Sequence, residues 1–196
     1  MLIIMPCTIT QGRSVPCKSG VGGLKTVYFA DFGTLGAAAD SASKTPFDAD
    51  FNGQIDTFAS LTGSAPSASG VLKQFDIKGN SSLETAINSS RENGTTFYES
   101  TLNLTLTFLE KATQEEVKLI SHARPHVFVE DYNGNYFVMG LEHGCEVTGG
   151  SIVSGAAMGD LSGFTLTLVS QERIPPPFVL STEVTNNADT DQITPN

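Results

Sequence analysis

The sequence predicts a mainly β protein, a β-sandwich or small barrel with one flanking α-helix. Three observations predict this class: alternating apolar and polar residues over 96–109, a matching alternation over 164–169, and one helical segment between them. With 196 residues, the chain is long enough to bury a core without disulfide bridges or metals.

The N-terminal part divides into an arm and the start of a domain. Residues 1–23 are rich in turn-forming residues and predict an extended arm or ordered loop. A single β-rich domain is predicted to span 24–180, and it begins with an alternating strand over 24–30.

A long loop is predicted over 33–70, where Gly, Ala, Ser and Asp dominate. Within it, a short hairpin is predicted to turn at Asn52-Gly53, because this dipeptide tolerates positive φ. A strand is predicted over 71–77, whereas residues 83–90 do not distinguish strand from helix.

The clearest strand lies at 96–109, and its two faces differ in polarity. The apolar face consists of Leu102, Leu104, Leu106 and Phe108. The polar face consists of Thr101, Asn103, Thr105 and Thr107, with Thr165 and Thr167 on the matching strand. An outward strand face ordinarily carries Lys and Glu. An uncharged face therefore indicates either an ordinary Thr-rich surface, or a face that meets another copy or lines a wet channel.

One helix is predicted between these strands. Thr113 and Glu116 have the spacing of a capping box at its start, Arg124 falls in its last turn, and Pro125 ends it. Its apolar side is predicted to consist of Val117, Leu119 and Ile120.

The C-terminal half continues as β structure. Residues 127–131 and 136–139 flank Asn133-Gly134, which predicts a hairpin. The glycine-rich segment 144–163 predicts a strand and loop with close backbone approach, and Pro175–Pro177 is expected to stop sheet pairing. The acidic tail 181–196 is expected to be mobile or to lie on a neighbour.

The charge balance excludes two classes of protein. The chain has 21 acidic and 11 basic residues and a net charge of −10, which disfavours nucleic-acid binding and a polybasic membrane surface. The apolar start is too short for a secretory signal, and no stretch has the ~20 apolar residues of a membrane span. Only 16% of residues are charged, which favours a surface partly covered by neighbours.

A weak calcium motif lies at Asp48, Asp50, Asn52 and Asp56, which have the spacing of an EF-hand loop. The twelfth position, which should be a bidentate Glu, is Ala59. The alternative is an acidic hairpin tip that binds no metal.

The cysteines do not define a site. Cys7, Cys17 and Cys145 fit free thiols in a reduced compartment, although a Cys7–Cys17 bridge or a zinc site that includes His143 stays open. We predict no cofactor.

No enzyme motif is present. His122, His126 and His143 lack any catalytic signature around them, and Lys25 lacks the preceding glycine that a phosphate-binding loop requires. The carboxylate pairs Glu115-Glu116 and Glu130-Asp131 are expected to be solvated. We therefore predict a protein that is not an enzyme.

Three stretches together resemble the tail-tube proteins of tailed bacteriophages, or a related phage tail structural protein. They are the glycine-rich segment 7–29, the order of long strand, helix and hairpin across 96–139, and the segment 144–172 with its closing Thr-Leu-Thr-Leu strand. None of them is a catalytic signature.

The resemblance implies a virion protein that is made in the host bacterial cytoplasm and self-assembles into homohexameric rings. The rings would stack into a tail tube that contacts other tail proteins and passes DNA during ejection. Residues 33–70 and the N-terminal arm would contact the next ring. The alternatives are another virion component (a minor tail, neck or capsid-decoration protein) and, less favoured, a calcium-binding interaction module.

Overall fold

The computed structural model describes residues 13, 20–35, 54–55, 72–77 and 80–189. The elements in chain order are β1 (Leu24–Ala30), β2 (Gln54–Ile55), β3 (Leu72–Asp76), β4 (Ser82–Ser90), β5 (Thr95–Thr107), α1 (Lys111–His122), β6 (His126–Asp131), β7 (Tyr136–Met139), β8 (Glu146–Val153), β9 (Gly163–Glu172), β10 (Phe178–Val179), α2 (Ser181–Asn187) and β11 (Ala188–Asp189). The mainly β class is therefore confirmed. The strands predicted at 24–30 and 71–77 are present, and the ambiguous segment 83–90 forms β4.

The strands form two separate sheets, so the sandwich rather than the small barrel describes these residues. The larger sheet has the order β11-β3-β1-β6-β7-β10-β2, and the smaller sheet has the order β4-β5-β9-β8. The smaller sheet is antiparallel throughout. In the larger sheet, only the pairings of the two-residue strands β2 and β11 with β10 and β3 are parallel.

The main core lies between the two sheets. The apolar rows of β5 and β9 pack in one buried cluster with residues of β1 and β6: Val27, Phe29, Leu102, Leu104, Leu106, Val127, Val129, Phe164, Leu166 and Leu168. Val117 and Ile120 of α1 belong to the same cluster. Period-two alternation therefore predicted the buried face of this sandwich correctly at the three leucines of β5.

Phe108 does not belong to this apolar face, so that prediction is wrong. β5 ends at Thr107, and Phe108 has a φ of 72°, which turns its side chain out of the strand's alternation. Its ring is 67% exposed. The Phe108 amide donates a hydrogen bond to the carbonyl of Ser162 at 2.8 Å, which holds this turn.

The larger sheet is also buried on its second face. Tyr28, Phe128 and Val138 point into a second cluster, which Val184 of α2 covers. Burial on both faces explains why β1 and β6 contain continuous apolar runs rather than a clean alternation.

The first helix begins three residues earlier than its capping box predicts. The N-cap is Glu110, and no side chain caps the helix, so the assigned roles of Thr113 and Glu116 are wrong. Val117 and Ile120 are buried as predicted, but Leu119 is 61% exposed. The helix ends at His122, and the extended Ala123 follows, so Arg124 lies beyond the last turn.

The predicted hairpin at Asn133-Gly134 is confirmed as β6 and β7. The prolines at 175–177 do not stop sheet pairing, because the Val138 amide donates to the carbonyl of Pro177 at 3.1 Å and β10 pairs with β7. A proline lacks the amide donor but keeps its carbonyl acceptor.

The expectation for the acidic tail is wrong over 181–189. These residues form α2 and β11 against the larger sheet of their own chain, and Val184 is fully buried. Most of the N-terminal arm and the hairpin predicted at Asn52-Gly53 lie outside the described residues.

Candidate assembly surface

All six residues predicted as a lumen or inter-subunit face lie together on one surface. We call this the outer face: the side of the four-stranded sheet that carries Thr101, Asn103, Thr105, Thr107, Thr165 and Thr167. The strand register places Asn103 opposite Thr167 and Thr105 opposite Thr165. Asn103 and Thr107 are exposed, and the other four are half-buried.

The polar groups of the outer face bond largely to one another. Thr167 Oγ1 donates to Asn103 Oδ1 at 3.1 Å, and the hydroxyls of Thr165 and Ser151 share a hydrogen bond of 2.7 Å. Thr105 Oγ1 donates to the carbonyl of Asn80 at 3.3 Å. This surface is therefore polar and hydrogen-bonded, and its paired groups need no ligand to satisfy them.

The four strands of this sheet carry no positive charge. None of their residues is Lys, Arg or His, and their charged residues are Glu84, Glu99, Glu146 and Glu172. Glu99 is half-buried and accepts a hydrogen bond from Gln171 Nε2 at 2.6 Å. The surface is therefore neutral to acidic, which disfavours contact with a polyanion.

The two edge strands of this sheet are long, and β8 carries a β-bulge between Val147 and Gly149 and contacts α1. Its edge strands are β4, with nine residues, and β8, with eight, and within the described chain each pairs with one strand only. Neither contains Pro or Lys, the residues that usually prevent edges from pairing. The described edges of the larger sheet, β2 and β11, have only two residues each.

One predicted surface carboxylate is buried. Glu130 is 6% exposed, and its Oε1 accepts from Lys25 Nζ at 2.6 Å. The hydrogen bond and the charge of Glu130 raise the pKa of Lys25. The expectation that Glu130 is solvated is wrong because its cation comes from β1, 105 positions away in sequence. The same contact places Lys25 in a sheet rather than in a phosphate-binding loop.

The histidines do not form a catalytic set. His126 is buried, its Nε2 accepts from the Gly33 amide at 3.1 Å, and its Nδ1 donates to the Gly140 carbonyl at 2.6 Å. Burial lowers the pKa of His126 and keeps the ring neutral, although the bond to Gly140 opposes this. Both ring nitrogens are thus engaged in holding main chain. His122 lies at the end of α1, as its sequence position predicts.

Metal ligation finds no support among the described residues. No group of three or more His, Cys, Asp or Glu side chains there could hold a metal ion. Cys145 is buried, and burial raises the pKa of its thiol, which makes it unreactive. Cys7 and Cys17 lie outside the described residues, as do all four calcium candidates, Asp48, Asp50, Asn52 and Asp56.

Sequence reasoning missed a groove of about 510 Å³ beside β4. Its apolar lining includes Leu83, Phe137, Pro175 and Pro176, and residues 21–24 also line it. These segments are far apart in sequence, so no local pattern could reveal that they meet.

Comparisons with known proteins do not identify the chain: no family model, curated protein or solved structure matches it. Among the residues that the structure describes, no helix is long and apolar enough to cross a membrane.

Proposed function

We propose that this protein is a structural virion subunit that assembles edge to edge into rings, and that stacked rings form a phage tail tube through which DNA passes. The observation that carries the proposal is the four-stranded sheet: among the described residues each edge strand pairs with one strand only, and its four strands contain no Lys, Arg or His. The resemblance to tail-tube proteins supplies the hexameric order of the ring.

The strand order suits closure into a ring. In the antiparallel order β4-β5-β9-β8, the two edge strands run in opposite directions. A rotation about an axis along the strands therefore brings β8 of one copy antiparallel to β4 of the next. Repeating this head-to-tail contact closes a barrel and removes every free edge of the sheet.

The offset between the edges also fits a closed barrel. β4 lies opposite residues 95–103 of β5, whereas β8, through β9, lies opposite residues 101–107. Full overlap of β4 with a neighbour's β8 thus needs a shift of about five residues, ~16 Å at ~3.3 Å per residue. Across four strands spaced ~4.8 Å apart, this shift corresponds to a strand tilt of roughly 40° from the barrel axis. Strands in closed barrels have a similar tilt.

The outer face would then line the passage. DNA binds proteins mainly through cations that release its counterions, so a lining without Lys or Arg leaves the duplex hydrated and mobile. The exposed Thr107 and Asn103 and the half-buried threonines beside them offer polar contacts to water, while Glu84 and Glu99 repel phosphate. Such a surface passes DNA without retaining it.

An edge variant tests this function. Ile87 of β4 is 68% exposed and lies in the row that faces the larger sheet, since it pairs with Tyr98. Ile87→Lys would place a charge inside the proposed contact, and inward charges prevent strand pairing. Leu119→Lys, on the exposed side of α1, makes the same chemical change outside the strands of this sheet.

We expect rings or tubes of the unchanged protein and of Leu119→Lys in negative-stain images and mass photometry. Ile87→Lys should stay monomeric with the same circular dichroism and melting temperature. Monomers of the unchanged protein at high concentration, or normal assembly of Ile87→Lys, would contradict the proposal.

A further inference from the structure

The groove beside β4 opens at the free edge of the four-stranded sheet. It is lined by Leu83 and Thr85 of β4 and by Phe137, Pro175 and Pro176 from the larger sheet and the segment before β10, and no residue of β5 lines it. The groove therefore lies on the side of β4 that faces away from β5, between the two layers.

The lining favours an uncharged occupant. Among the described residues, Asp131 is its one charged lining residue, and the carboxylate already accepts hydrogen bonds from the amides of Asn133 and Asn135, each at 2.8 Å. The rest of the described lining is uncharged, with apolar residues such as Leu83 and Phe137 beside the polar Ser81, Ser82, Thr85 and Asn133. A charged ligand would lose its hydration here without gaining a partner.

The opposite edge of the sheet presents an apolar side chain that the described part of the chain leaves exposed. Ile152 of β8 lies opposite Phe164, so it belongs to the row that faces the core. Phe164 is fully buried, yet Ile152 is 56% exposed because β8 is the last strand.

The register of the proposed ring brings these two features together. Pairing must shift by an even number of residues, because an odd shift would turn apolar side chains to the outer face. The even values nearest the observed offset of about five are four and six. A shift of four places Ile152 of one copy opposite Leu83 of the next, and a shift of six places it opposite Thr85. Both residues line the groove.

We propose that a second copy of this chain occupies the groove, with its β8 paired to β4 and its Ile152 side chain packed on Leu83, Phe137 and Pro175. This inference rests on the proposed function, because it takes the edge-to-edge ring as its starting geometry. It assigns the contact that fixes the register between neighbouring copies.

Disulfide trapping tests the contact. In a background with Cys7→Ser and Cys17→Ser, Ile152→Cys is combined with Leu83→Cys, with Thr85→Cys or, as control, with Ser89→Cys. Ser89 lies in the same row of β4, four to six residues further along than either candidate. Antiparallel neighbours on one face have Cβ atoms ~5 Å apart, within reach of a disulfide, whereas the control pair is at least ~13 Å apart.

We expect oxidation to give a covalent ladder of oligomers with Leu83→Cys or Thr85→Cys and none with Ser89→Cys. Ile152→Ala should raise the concentration needed for assembly about tenfold, since the apolar anchor in the groove is lost.

This inference would be overturned if rings form but neither Leu83→Cys nor Thr85→Cys gives a covalent ladder, or if Ser89→Cys gives an equal ladder. Neither result would contradict the ring itself. A variant that carries Thr85→Cys without Ile152→Cys should form no covalent dimer. Such dimers would show a two-fold contact between β4 strands and would overturn the inference as well. The absence of any assembly would overturn the proposed function together with the inference.

Discussion

Thr167 donates a hydrogen bond to the side-chain oxygen of Asn103 at 3.1 Å, across the pairing of β9 with β5. The pair lies at the centre of the outer face, and neither residue carries a charge. Because these polar groups hydrogen-bond to each other, the surface is polar but presents no charged group to a ligand at this pair.

Two lysines at this pair should convert a passive surface into a DNA-binding one. We expect assemblies of Asn103→Lys with Thr167→Lys to bind short duplex DNA at low salt, because each ring then presents many cations to one polyanion. Fluorescence anisotropy of labelled duplex measures this, and the affinity should fall steeply as salt increases.

The matched control is Gln114→Lys with Leu119→Lys, which adds the same charge on exposed positions of α1. Its assemblies should bind DNA much more weakly. Binding by the unchanged protein as strong as that of the outer-face variant would show that this surface does hold DNA.

Acidification should weaken the fold through His126. The folded state holds this ring neutral, so the unfolded chain binds more protons below pH ~6.5 and stability falls as pH falls. The loss is at most about 1.4 kcal/mol for each pH unit below that value. Urea unfolding at pH 7.5 and 5.5 measures it.

His126→Gln provides the comparison, because a glutamine offers one donor for the Gly140 carbonyl and one acceptor for the Gly33 amide at every pH. Glu172, whose pKa is raised by burial, is the same in both proteins. The variant should lose stability less between the two pH values. An equal loss in both proteins would remove His126 as the cause.

Gly163 marks the closest approach of β9 to β5. A Cβ at this position would overlap the carbonyl oxygen of Leu106, which is main chain and cannot move aside. Gly163→Ala should therefore cost roughly 2–4 kcal/mol of unfolding free energy, measured by urea denaturation. Gly159→Ala, where a Cβ meets nothing within 4 Å, should change stability by less than about 0.5 kcal/mol. Equal effects would refute the close contact.

Asn133 fastens the segment before β1 to the hairpin of β6 and β7. Its Oδ1 accepts from the Val21 amide at 3.0 Å, and its Nδ2 donates to the Val21 carbonyl at 2.8 Å. Asn133→Ala should speed hydrogen exchange at Val21, while Asn135→Ala, which lacks contact with Val21, should not. Unchanged exchange in Asn133→Ala would show that other contacts hold the segment.

The pairing partners β5 and β9 could be predicted from sequence because their alternation is long and uninterrupted. Phe108 could not, since its left-handed conformation depends on Ser162, a residue 54 positions away. The sequence neighbours of Glu130 are those of a surface carboxylate. Its burial is explained by the hydrogen bond from Lys25 on the neighbouring strand, which is distant in sequence.

The six outer-face residues were found from alternation alone, but the edges beside them were not. Which strand lies at an edge depends on strand order, and order is a tertiary property. The segment that forms β4 has adjacent Ala86 and Ile87, which interrupt its alternation of polar and apolar residues. The helix α2 has no helical pattern in its sequence, and the burial of Val184 against the larger sheet stabilises it.

The most direct test is a cryo-electron microscopy map of the assembled full-length protein. We expect a closed ring in which the outer face lines a central passage and β4 of each copy lies beside β8 of the next. A ring with the outer face towards solvent, or a protein that remains a monomer with both edges unpaired, would contradict the account.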